Sequence, residues 1–167
     1  EESLNEVGQW PWPRTTIAKL VRNLKRSGAA LVAFDIVFAE PDRMNPDKIP
    51  DVVFGLDEAT TAKLRALPSN DLVFAKAIKE SRVVLGQAGY WEKVKTKNKK
   101  GPPIKKSVAL LKQGKHVNPS DFLPQFETLI RNISVLEKSA SGHGIFSLAP
   151  ELDGVVRRVP TLFVYDK

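Results

Sequence analysis

Hydrophobic spacing along the 167 residues predicts a layered α/β domain, with a mixed, largely parallel central sheet and a β-hairpin at its C-terminal end. Three observations carry that prediction. Apolar residues at helical spacing alternate with short β-branched runs, in the order α, β, α, β, long loop, α, β, β. A helical pattern lies between the first two runs, which makes them a βαβ unit with parallel strands and a right-handed crossover. Asp153-Gly154 is a tight-turn pair ahead of the apolar run Val155 to Tyr165, and that pairing reads as a hairpin.

The elements follow in order. In Trp10-Pro11-Trp12-Pro13-Arg14 two prolines impose an extended lead-in, and Pro13 suits the first turn of a helix. Ile17, Leu20, Val21 and Leu24 share one helical face, and Gly28 supplies the C-terminal cap. Ala29 to Phe38 reads as a central strand covered on both faces. From Glu40 to about Ser69 the chain carries four prolines and scattered charges, a long excursion with one short helix near Glu58 to Leu67. Ser69-Asn70-Asp71 is helix-capping chemistry ahead of Phe74, Ala77 and Ile78. Arg82 to Tyr90 is the second strand. Phe126, Leu129, Ile130, Ile133 and Leu136 space out a further helix starting near Pro124. Gly144 to Ala149 is a short strand before the hairpin.

Composition removes several function classes. No cysteine is present, so disulfides, thiolate metal sites and cysteine nucleophiles are excluded. No stretch approaches the ~20 apolar residues of a membrane span. The net charge of +7 suggests nucleic acid, yet Glu92 to Lys106 alone carries seven lysines against one acid. That segment lacks interleaved aromatics, so it reads as a solvated loop and no nucleic-acid partner is expected. His116 and His143 have no partner at metal or triad spacing, no phosphate-binding glycine loop occurs, and no cofactor or catalytic residue is assigned. Glu40, Asp42, Asp47 and Asp51 form an acidic loop, but their spacing lacks the turn glycine of a calcium loop, so no metal site is assigned.

Asp35 stands mid-strand between Phe34 and Ile36. A carboxylate in a covered sheet needs a cation, and Arg14, Arg157 or Arg158 is the expected partner. On that reading Asp35→Ala costs about 3–5 kcal/mol. Arg157 and Arg158 are adjacent in an expected strand, so one of them is expected to face the core and need an anion. The other reading makes Asp35 a ligand anchor at the carboxyl end of a parallel strand, where open α/β sheets bind ligands. Trp10 and Trp12 are expected to cover the edge of the core.

Three segments together resemble a known family: Trp10-Pro11-Trp12-Pro13-Arg14, Ala33-Phe34-Asp35-Ile36-Val37-Phe38-Ala39-Glu40-Pro41-Asp42, and Gly144 through Asp153-Gly154-Val155-Val156-Arg157-Arg158-Val159-Pro160. The family is the second subclass of the CHASE domains, the cyclase- and histidine-kinase-associated sensory extracellular domains. The resemblance runs in order from about Val7 to Tyr165. It implies a single sensory domain over residues 1–167, on the periplasmic or extracellular face of the bacterial inner membrane. It also implies flanking transmembrane helices and a cytoplasmic adenylate or diguanylate cyclase, histidine kinase or serine/threonine kinase. Members usually continue past the hairpin, so the chain is expected to be truncated at its C-terminal end. The expected ligand-lining residues are Asp35 and Glu40 at the strand end, with Arg14 and Arg157 as cationic partners. An unknown small molecule is the expected ligand and a homodimer the expected assembly. The alternatives are a metal-dependent phosphoesterase using Asp35 or Asp42, and a nucleic-acid-binding module driven by the lysines.

Overall fold

The computed structural model describes residues 2–95, 121–148, 153–157 and 159–165. Arg158, His116 and the lysines from Lys97 to Lys106 lie outside the described residues. Helix α1 (Glu2–Val7) leads to α2 (Arg14–Arg26) through the Trp-Pro segment. There the Trp12 Nε1–H donates to the Gly8 carbonyl at 2.7 Å, and Trp12 packs against the core with Trp10 edge-on to it. Helix α2 buries Ile17, Ala18 and Val21, while Leu20 and Leu24 of the predicted stripe remain largely exposed. Gly28 takes φ +91°, and the N–H groups of Gly28 and Ala29 close onto the carbonyls of Lys25 and Leu24. That is a Schellman cap, which needs a residue free to enter the left-handed region.

The excursion holds a 3-10 helix (Pro46–Asp51) and α3 (Glu58–Ala66), then the chain enters α4 (Asn70–Lys79). Strand β1 (Val32–Ala33) runs parallel to β2 (Val83–Tyr90) across that crossover, as the βαβ reading requires. The centre of the sheet is β2, not the Ala29 to Phe38 run. Only Val32 and Ala33 of that run pair as a strand. Its exposure alternates: Leu31, Ala33 and Asp35 face outward, while Val32, Phe34, Ile36 and Phe38 pack inward. One face of the run is therefore open, which corrects the prediction of a strand covered on both sides.

Carbonyl parity on β2 shows how its neighbours are arranged. The carbonyls of Arg82, Val84, Gly86 and Tyr90 accept from Val32, Phe34, the Asn132 amide and Glu127. Those of Val83 and Gln87 accept from Ser141 and Phe146. Alternate carbonyls of a strand point to opposite edges. So β1 and the antiparallel β4 (Thr128–Ile130) occupy one edge of β2 in succession, and the parallel β5 (Gly142–Ile145) occupies the other.

The predicted helix from Pro124 to Leu136 does not form as one element. The segment is β3 (Gln125–Phe126), β4 and then α5 (Ser134–Ser139). Thr128 to Ile130 pair with Ala88 to Tyr90, and Asn132 is held by tertiary hydrogen bonds that keep it out of a helix. The C-terminal strands exist, and among the described residues they pair with other strands and not with each other. Strand β5 pairs with β2, and β6 (Val164–Tyr165) pairs with β3. The Asp153-Gly154 turn is present, with Gly154 at φ +79° and the Val155 N–H on Asp153 Oδ1 at 3.1 Å.

The core sits between β2 and helices α2, α4 and α5, around a T-shaped set of Phe34, Phe38 and Phe74 with centroids 5.2 to 5.9 Å apart. A second apolar stack, Trp91, Phe126 and Phe163, anchors the C-terminal strand. It lies over Gly89, where a Cβ would fall 2.5 Å from the Phe126 ring. No helix of the described residues is long and apolar enough to cross a membrane.

Candidate functional site

Two helix starts and one loop converge just past the end of β1. Pro13 offers no side chain to cap α2, so its first N–H groups need acceptors from elsewhere. Asp42, from the acidic turn after β1, supplies one: its Oδ2 accepts the Arg14 N–H at 2.7 Å. The same carboxylate accepts Asn70 Nδ2 at 3.0 Å and, through Oδ1, the Met44 N–H at 2.9 Å. Asp71, in the first turn of α4, accepts the Asp42 N–H (3.1 Å) and Asn45 Nδ2 (2.8 Å) on Oδ2. Asn45 Oδ1 in turn accepts the Asn70 N–H at 2.7 Å. Carboxylates at helix starts are favoured by the positive end of the helix dipole, and here two such starts share two acids.

Arg14 supplies the cation. Its Nε lies 3.6 Å from Asp71 Oδ1, beyond hydrogen-bond reach, and its Nη2 donates to the Glu40 carbonyl at 3.3 Å. The guanidinium also sits over the Phe38 ring, 4.3 Å from the centroid. Burial pulls the Arg14 pKa below the guanidinium's ordinary value, and the charges of Asp71 and Asp42 act in the opposite direction. Arg14, Asp42, Asp71, Asn45 and Asn70 are all buried, so this is a desolvated polar cluster with its acids fully engaged by donors.

Of the four candidate ligand residues, the structure brings together Arg14 and Glu40, through the backbone of the latter. Asp35 is exposed and makes no ion pair among the described residues, so the expected buried pairing with an arginine does not form. Arg157 is exposed too. It closes onto Asp153 through two hydrogen bonds of 2.9 and 2.7 Å within the C-terminal turn, so Arg157 does not face a core. That contact, chiefly the Arg157 hydrogen bond, holds the Asp153 carboxyl below its ordinary pKa.

A second buried cluster went unforeseen in the sequence. Glu137 of α5 is 1% exposed and accepts from Arg131 Nε (3.2 Å), Arg131 Nη2 and Gln87 Nε2 (3.0 Å). Beside it the Asn132 side chain substitutes for a stretch of backbone: Oδ1 accepts the Phe38 N–H at 2.7 Å and Nδ2 donates to the Gly86 carbonyl at 2.9 Å. The available signal was a charged pair six residues apart inside an otherwise apolar segment.

The other acids of the excursion are dispersed. Asp47 lies by Lys48 at 3.9 Å and Asp51 by Arg65 at 3.7 Å, both on the surface. Among the described residues no group of three or more histidines and carboxylates is placed to hold a metal ion.

The domain is a layered α/β fold whose buried acids join the starts of α2 and α4 to the loop after β1. The chain belongs to the CHASE2 domain family, whose model matches residues 1–167. CHASE2 domains are extracellular sensory domains of signalling proteins. No curated protein and no solved structure gives a significant match.

Proposed function

We propose that this domain is the receiving part of a bacterial transmembrane signalling protein. Its output would be a cytoplasmic adenylate or diguanylate cyclase, a histidine kinase or a serine/threonine kinase. Flanking membrane helices and pairing of two copies belong to the same proposal, as does the periplasmic face of the inner membrane. The observation that supports it best is the junction at Arg14. The head of α2 is latched by Asp42 and Asp71 to the loop after β1 and to the head of α4. A displacement of the segment ahead of α2 therefore reaches the loop after β1 and the head of α4 through one buried cluster.

The mechanism is a population shift between two settings of this junction. A ligand that moves the balance from 1:99 to 99:1 needs about 5.5 kcal/mol of differential binding. Asp35 and Glu40 are exposed in the stretch after β1 and offer that ligand its polar contacts, while Arg14 positions the loop that carries Glu40. Arg157 is a contact from the C-terminal turn.

The test is a thermal-shift screen of small metabolites on the 167-residue chain, run beside an assay of phosphoester turnover with added magnesium. A binder at 100 times its dissociation constant adds about 2.7 kcal/mol of stability. Stabilisation by a metabolite, weakened by Glu40→Ala, is the expected result. Magnesium-dependent turnover that vanishes in Asp42→Asn would instead establish the phosphoesterase reading.

A further inference from the structure

A groove of about 420 Å³ opens where the C-terminal ends of α2 and α4 meet, on residues that the junction does not use. Its walls carry Lys19, Arg22, Lys25, Arg26, Glu80 and Ser81. Four cations thus face one carboxylate. Glu80 is already shared: its carboxylate lies 3.7 Å from Arg22 and 4.0 Å from Lys76, and its backbone carbonyl accepts from Lys25. Arg26 donates to the Asn23 side chain.

Helix-end electrostatics favours Lys25 and Arg26, which lie in the last turn of α2. It does not account for Lys19, or for Arg22 at i+3, whose guanidinium lies 3.7 Å from the Glu80 carboxylate and donates to the Val73 carbonyl at 3.5 Å. Lys19 has no partner among the described residues. The Ser81 hydroxyl is shielded from solvent and also has no hydrogen-bond partner there. Four cations against one carboxylate in one concave site favour an acceptor-rich anion.

We infer that this groove binds a phosphate group, either of a soluble phosphate compound or of a lipid headgroup. A phosphate offers several acceptor oxygens. Two arginines present planar forks to them and two lysines present point charges. This binding does not depend on the sensory reading, and its failure would leave that reading untouched.

The test uses the isotope-labelled 167-residue chain, with inorganic phosphate and with phosphatidylglycerol vesicles as separate probes. Sodium chloride at matched ionic strength is the reference for the first, and phosphatidylcholine vesicles for the second. The comparison variant is Lys19→Glu with Arg26→Glu, both on the surface, with an unchanged urea midpoint as the check on folding. Lys63→Glu, exposed on α3, controls for loss of positive charge as such. Phosphate is expected to shift the Asn23 and Ser81 amide signals, with affinity falling at least tenfold in the double variant and unchanged in Lys63→Glu. Binding of phosphate alone points to a soluble source, and binding of vesicles alone points to a headgroup. Binding of neither probe, or binding that survives in the double variant, overturns the inference.

Discussion

Asp35 and Asp42 stand seven positions apart on one stretch of chain and meet opposite environments. Asp35 falls on the outward face with Leu31 and Ala33, whereas Asp42 lies beyond the strand and is buried against the heads of α2 and α4. Removing Asp35 therefore leaves no cation stranded, and Asp35→Ala is expected to change stability by less than about 0.5 kcal/mol. Asp71→Ala removes the counter-charge of buried Arg14 and the acceptor of two donors, and is expected to cost about 3–5 kcal/mol. Urea unfolding of the two variants checks both values. The alternation that exposes Asp35 was legible in the residues, since Val32, Phe34, Ile36 and Phe38 fall at every second position. The apolar density of the run masked it. The partners of Arg14 were not legible, because Asp71 is 57 residues away and only the crossover brings α4 beside α2.

At the level of elements, local chemistry located most boundaries. Ser69 caps α4 through the Leu72 N–H, and Gly28 ends α2 in the left-handed region. The segment from Gln125 to Leu136 misled because its apolar spacing suits a helix face while its first half pairs with β2. Nothing local announces that Asn132 will bridge Phe38 and Gly86. Asn132→Ala leaves both backbone groups buried without a partner, and is expected to cost roughly 2–5 kcal/mol by denaturant unfolding. Gly89→Ala drives a methyl group into the Phe126 ring, and a loss of about 1–3 kcal/mol with loosening of the Trp91–Phe126–Phe163 stack is expected. Tryptophan fluorescence reports the second effect.

The cap of α3 carries a pH dependence. Asp57 accepts from the Thr60 hydroxyl and N–H, and these bonds hold its carboxyl below the ordinary 3.8. A carboxyl with a depressed folded value supports the helix fully above the ordinary value and loses that support as pH falls through the lower one. Protection of the first α3 amides, taken relative to the unstructured exchange rate at each pH, is expected to fall below pH 3.8 in the native chain. Asp57→Asn, a cap that does not titrate, is expected to remove that dependence.

On the scale of the whole molecule, the layered α/β class and its parallel core follow from element order, and the structure has both. The reach of the C-terminal strands does not follow from order. Strand β6 pairs with β3, beside the stacked Phe126 and Phe163 rings. Membership of the CHASE2 family gives the domain its sensory role, and the Arg14 junction is the route we propose for a signal through it.

The most direct measurement of that route is the output activity of the parent signalling protein in membranes, comparing the native sequence with Asp71→Asn. This substitution keeps the side chain's shape and removes its charge. If the junction sets the balance between two states, basal output shifts severalfold at equal protein level and the response to stimulus is blunted. An unchanged basal output and a full response, in a domain shown by unfolding to have lost the Arg14–Asp71 interaction, would contradict the account.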